Sequence, residues 1–138
     1  MLRSAKLQTI VWMTRAAEAE RFYSDVLQLP LKATSHGALV YEVGGCGLRV
    51  SPVPAMRPSE HTVLGFAVTD LNALMRGLGE RGVRWERFAD LPQDAEGVLR
   101  LPDGTRVAWF RDPDGNLLSL VEYAGAQEAS GPAGPAGE

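Results

Sequence analysis

The order of structural signals in this chain is written twice, and that repetition limits its possible folds more than any single motif. In the first copy, residues 7–13 are apolar enough for a strand, and Ile10, Val11 and Trp12 favour extended backbone. Thr14 is then placed to cap a helix over 16–27, where Ala19, Phe22, Tyr23, Val26 and Leu27 recur at helical spacing; Pro30 ends it. Strands are expected at 38–43 and 48–51, on either side of the glycine-rich turn around Gly44 and Gly45. A proline-containing join over 51–59 leads to the second copy. There a strand over 62–69 meets Asp70, a helix N-cap, and a helix carrying Leu71, Leu74, Met75 and Leu78. Gly82 stands where a left-handed residue would close that helix. Strands follow at 83–88, 98–101, 106–111 and 117–123, with turns at Asp103-Gly104 and Asp112-Pro113-Asp114-Gly115. We read the whole as βαβββ written twice. Either half alone has a half-exposed sheet, so pairing is expected to give an α+β fold: a curved mixed sheet, helices outside and a cleft inside.

The chain has 138 residues, the size of one domain. That domain is expected over 1–124, with modules at about 5–53 and 60–124. Residues 125–138 are Gly, Ala, Pro, Ser and Glu with little else, and are expected to be a disordered tail. With 45% hydrophobic and 22% charged residues, the composition is that of an ordinary globular protein. A net charge of −3 with scattered basic residues argues against nucleic acid as a partner. No apolar run is long enough to span a bilayer, and polar Gln8 and Thr9 interrupt any signal-peptide core, so a cytoplasmic protein without membrane attachment is expected. Cys46 is the sole cysteine, which removes disulfides and cysteine zinc sites. No histidine or basic cluster adjoins it to activate the thiol.

Three segments in order resemble a known family. Gln8-Thr9-Ile10-Val11-Trp12-Met13 with Phe22-Tyr23-Ser24-Asp25-Val26-Leu27-Gln28-Leu29 is similar to the opening strand and helix of the vicinal-oxygen-chelate superfamily, the glyoxalases, bleomycin-resistance proteins and extradiol dioxygenases. Gly65-Phe66-Ala67-Val68-Thr69-Asp70-Leu71 resembles the start of that family's second module. Phe110-Arg111-Asp112-Pro113-Asp114-Gly115-Asn116-Leu117 resembles its closing turn. The resemblance implies the paired-module fold, a core role for Phe22 and Tyr23, and a homodimer. It also implies that relatives with activity hold a divalent ion, which chelates neighbouring oxygens of a substrate.

Counting from the matching segments places the family's ligand positions at Gln8, Val50, Val63 and Ser119. Gln8 is an acceptable oxygen donor; two valines and a serine are not a ligand set. The resemblance therefore implies a member without a metal or other cofactor. Substitutes are scarce. His61 lies two residues before Val63, on the same strand face but about 7 Å back. Glu122 is three residues past Ser119 and reverses its face. A register slip that brought either inward would turn Leu64, Phe66 and Val68 away from the helices. Both histidines, His36 and His61, and Glu122 are expected as surface or rim residues. Asp112 and Asp114 sit in a Pro-Gly turn, where carboxylates bond neighbouring backbone N–H groups.

What remains is a mostly apolar cleft. Gln8, Ile10, Trp12 and Thr14 are expected to face it from the first strand. Val50, Val63, Gly65, Ala67, Ser119, Val121 and Tyr123 are expected from the other strands. Trp12 and Tyr123 can stack on a planar molecule, Gln8 and Ser119 can orient it, and Gly65 leaves space. Residues 92–97 are polar enough for a lid, or are an idle connection. The expected activity is binding of a hydrophobic or aromatic small molecule, of the bleomycin-resistance kind. The alternatives are side chains that merely fill the core between modules or the dimer interface, a lyase, epimerase or dioxygenase with a displaced ligand set, and a metal-free isomerase or cyclase on the same scaffold. No catalytic residue can be named; for the metal-free enzyme, Glu42 and Tyr123 are the nearest titratable candidates.

Overall fold

In the computed structural model, residues 1–125 are described, and they form two compact units, each built on a four-stranded mixed sheet. The expected tail lies outside the described residues apart from Gly125. The first unit comprises residues 1–63 together with the turn 112–116; of the remaining described residues, the second comprises 64–111 and 117–125. The α+β class and the doubled module are as expected.

In the first unit, β1 (Gln8–Met13) leads to α1 (Ala16–Glu20), which continues in π-helical form over Arg21–Val26. Then come β2 (Leu31–Ser35), β3 (Ala38–Val43) and β4 (Cys46–Pro52), in the sheet order β1-β4-β3-β2. Strand β2 is absent from the sequence expectation because Leu31-Lys32-Ala33-Thr34-Ser35 has no buried row to betray it: four of its five residues are exposed. The helix buries Ala19 and Tyr23 against one sheet face. Tyr23 meets Tyr41 with ring centroids 6.1 Å apart, and Ser24 Oγ lies 2.7 Å from the Tyr41 hydroxyl. Register fixes the rest of that face: Val11, Val50 and Leu39 form one cross-strand row, and all three are buried. Thr14 does not cap the helix. Capping needs an accepting oxygen, whereas the Thr14 hydroxyl and N–H both donate to the Asp114 carboxylate, at 2.5 and 3.0 Å. Arg15 takes the N-cap position without a side-chain capping bond; its guanidinium donates instead to Pro113 C=O at 3.1 Å.

The second unit runs β5 (Leu64–Ala67), α2 (Leu71–Glu80), β6 (Leu99–Arg100), β7 (Arg106–Arg111) and β8 (Leu117–Glu122), in the sheet order β5-β8-β7-β6. Asp70 caps α2 by accepting from Ala73 N–H at 3.1 Å, and Gly82 follows its end at φ +98°. Residues 83–88, expected as a strand, make one sheet-like bond, Glu86 N–H to Trp109 C=O at 2.8 Å. Further pairing is replaced by the side chain of Gln93, which accepts from Phe88 N–H and donates to the carbonyls of Glu86 and Gly97. Asp94 accepts from Glu96 and Val98 N–H. The stretch 92–97 is thus a bonded knot that fastens residues 83–88, not a free lid.

Candidate functional site

Alternation along β1 separates a buried row, Val11 and Met13, from an open one: Gln8, Ile10 and Trp12. Ile10 is 53% and Trp12 55% exposed, although both are large and apolar. Across the sheet, Arg49 pairs with Ile10 and Ser51 with Trp12. Val50 is therefore not on this face; it is 0% exposed on the helix side. The expectation slipped by one residue along β4, and in a strand one residue reverses the face. Arg49 takes the place assigned to Val50, with one guanidinium N–H donating to Ser35 C=O at 3.0 Å. The two-residue turn Gly44-Gly45 signals the correct register, since it pairs Val43 with Cys46 and hence Val40 with Arg49. At the Gln8 end a cavity of about 270 Å³ is lined by Lys6, Gln8, Lys32, Glu42 and Gly47.

The second unit has its own open row. Gly65 pairs with Ser119 and Ala67 with Val121, and both small residues are exposed. Trp109, overlooked in the sequence, pairs with Ser119 from β7; counting outward from the Asp112–Gly115 turn would have placed it there. A Cβ at Gly65 would stand 3.0 Å from Ser119 Oγ, so the missing side chain is what admits the hydroxyl. Val63 precedes β5 and is half-buried, and Tyr123 follows β8 and is 42% exposed.

The polar groups divide into two sets. Those of the closing turn are fully engaged. Buried Asp112 accepts from Asp114 and Asn116 N–H, from the Asn116 side chain at 2.8 Å and from the Tyr23 hydroxyl at 2.7 Å. The Asn116 amide also donates to Trp12 C=O at 2.9 Å. Asp112 bonds its own turn as expected, whereas Asp114 reaches Thr14 instead. Glu122 accepts from Leu71 N–H and from Arg106, each at 2.8 Å, holding the start of α2. By contrast, the Gln8 amide, the Trp12 and Tyr123 polar tips and the Ser119 hydroxyl have no hydrogen-bond partner among the described residues. Ser119 is buried as a residue, but no buried side-chain oxygen or nitrogen among the described residues lacks a partner, so its hydroxyl reaches the surface.

Burial, then the negative charge of Asp112, pushes the Tyr23 phenol well above its ordinary range. An unfolded tyrosine ionises near pH 10, so this contribution to stability is complete below that pH and lost as pH rises beyond it. Wild-type stability is expected to fall above about pH 10 more steeply than that of Tyr23→Phe, by up to about 1.4 kcal/mol per pH unit. Urea unfolding between pH 8 and 11 measures the difference.

The donors do not suit a divalent ion. Gln8 has Ile10, Trp12 and Arg49 as same-face neighbours, Val63 offers no donor, and Ser119 offers a neutral hydroxyl. Among the described residues, no three His, Cys, Asp or Glu side chains gather as a metal would need. Of the displaced candidates, His61 is exposed and Glu122 is committed to Leu71 and Arg106. His36 is exposed at φ +53°, with Nδ1 3.0 Å from Ser35 Oγ.

A family model described as the glyoxalase/bleomycin resistance protein/dioxygenase superfamily matches residues 7–120. The chain belongs to this superfamily. Several solved structures share its fold. An antibiotic-binding protein from a Streptomyces species, TnmS3, is 26% identical with a TM-score of 0.66, over 88% of this chain and 98% of that one. A lactoylglutathione lyase from Agrobacterium tumefaciens is 19% identical with a TM-score of 0.66, over 86% and 93%. A superfamily member from Sphaerobacter thermophilus is 19% identical with a TM-score of 0.69, over 89% and 100%. No curated protein sequence matches the chain. This chain carries Val63 and Ser119 where the resemblance expects ligands. No helix among the described residues is long and apolar enough to cross a membrane.

Proposed function

We propose that this superfamily member binds a hydrophobic or aromatic small molecule on the open sheet faces, without a catalytic metal. One observation carries the reading: the open face of the first unit combines exposed Ile10 and Trp12 with the Gln8 amide, which has no hydrogen-bond partner among the described residues. A protein that merely filled its interior with these strands would have no reason to keep a half-exposed tryptophan on an apolar row. The similarity to an antibiotic-binding protein at 26% identity supports binding over turnover. Binding on the first unit's face then rests on Ile10 and Trp12 for contact area and on Gln8 for orientation; on the second unit's own face, Gly65 leaves space beside the Ser119 hydroxyl. A homodimer, as the resemblance implies, would shelter the same rows from water.

Titration with a panel of planar aromatic antibiotics, following tryptophan fluorescence, tests this. A true ligand is expected to quench Trp12 saturably, and Trp12→Phe to remove that response. Metal analysis of protein purified without chelator accompanies it. One tightly held divalent ion per chain, lost in Gln8→Ala, overturns the metal-free reading.

A further inference from the structure

The second unit holds a cavity of about 700 Å³ on the α2 side of its sheet, a volume ordinary for a small-molecule site. It is not the open face just described. Its wall includes Trp85, which packs edge-on against Phe110 with centroids 5.5 Å apart at 70°. Phe110 pairs with Leu118 in the buried row, whereas Ser119 and Trp109 lie in the opposite one. Met75, buried on α2, supplies a second apolar surface beside Trp85.

The polar lining consists almost wholly of donors. Arg76, exposed on the same face of α2 as Asn72, has no ion pair or hydrogen bond among the described residues. Asn72 uses its oxygen to accept from Arg106 at 3.1 Å, which leaves its amide N–H groups unengaged. The Trp85 indole N–H likewise has no partner among the described residues. One nitrogen of Arg87 donates to the carbonyls of Asp94, at 2.7 Å, and Ala95. This fixes the guanidinium in place while its other N–H groups stay available. Against these stands one carboxylate, Glu96. On a chain of net charge −3, a cavity with two arginines, unengaged N–H donors and an indole wall selects for negative charge on an apolar body.

We propose that this cavity is a second ligand site, taking a planar aromatic molecule that carries a carboxylate or comparable oxyanion. The ring lies against Trp85 and Met75. Arg76 and Arg87 hold the oxyanion, and the Asn72 amide adds a third donor. Arginine suits the task because its fork meets two oxygens at once, and Arg87 is already immobilised by the 93–97 knot, so little freedom is lost on binding.

Two-dimensional ¹H–¹⁵N spectra of the full chain test this. The indole N–H signals of Trp12, Trp85 and Trp109 are assigned by single Trp→Phe variants. 2-Naphthoate is expected to shift the Trp85 signal saturably. 2-Naphthamide, with the same ring and no charge, is expected to bind at least about tenfold more weakly. Arg76→Gln, at an exposed position that leaves the fold alone, is expected to weaken naphthoate by about tenfold. Trp12→Phe is expected to leave it unchanged, which separates this site from the open faces. Equal binding of acid and amide overturns the proposal. So does an Arg76→Gln affinity equal to wild type, or a naphthoate response confined to Trp12 and Trp109.

Discussion

Asp112→Ala is expected to destabilise the protein by about 4 kcal/mol, the largest loss for any single polar side chain in the described structure. The carboxylate is 6% exposed and accepts four hydrogen bonds, from two backbone N–H groups, the Asn116 amide and the Tyr23 hydroxyl. Alanine leaves those donors without an acceptor, and Tyr23 is 0% exposed, so water cannot replace the lost bond without opening the core. Each buried group left unpaired costs about 1–3 kcal/mol, and local relaxation recovers part of the total. Asp112→Asn retains one accepting oxygen but turns an NH₂ toward donors; an intermediate loss of about 2 kcal/mol is expected. Asp114→Ala removes bonds to exposed Thr14 and should cost about 1 kcal/mol. Urea unfolding at pH 7 ranks the three. A loss below 1 kcal/mol for Asp112→Ala would mean that the turn is not part of the core of the first unit.

The sequence carried the fold where burial and chemistry are coded together. The helix cap at Asp70, the left-handed Gly82 and the self-bonded Asp112 are set by neighbours within a few residues, so spacing alone reveals them. It failed where a partner lies far along the chain. Thr14 looks like a cap until Asp114, a hundred residues away, takes both its donors. Residues 83–88 have the composition of a strand, but Gln93 supplies the bonds that a neighbouring strand would have made. The site is legible in its open β1 row but not on β4. Val50 and Arg49 differ by one position, and only the hairpin register says which of them shares a face with Ile10. Trp109 is hidden for the same reason: the composition of β7 does not reveal which of its faces carries Trp109 opposite Ser119, and only the hairpin register does. The cavity beside Trp85 was not legible at all, because its walls come from α2 and from a loop whose course depends on Gln93 and Arg87.

Neighbouring residues on β1 should separate binding from stability. Trp12→Ala is expected to weaken a ligand found by the fluorescence panel by about 30-fold, or 2 kcal/mol, while altering stability by less than about 0.5 kcal/mol. Affinity here is measured by calorimetry, since the mutation removes the fluorophore. Val11→Ala is expected to do the reverse: a loss of about 2 kcal/mol in stability with affinity within about twofold. The reasoning is positional. Trp12 is 55% exposed and its indole contacts are available to a ligand, whereas Val11 is 3% exposed in a row with Val50 and Leu39. Truncating a residue that is more than half exposed disturbs the folded state little, but it removes a flat surface that a planar ligand can use. Were Trp12 instead a core residue seen without its cover, both mutations would destabilise, and both would weaken binding in proportion to the unfolded fraction. A Trp12→Ala protein as unstable as Val11→Ala would therefore count against a binding face on β1, whatever the panel had found.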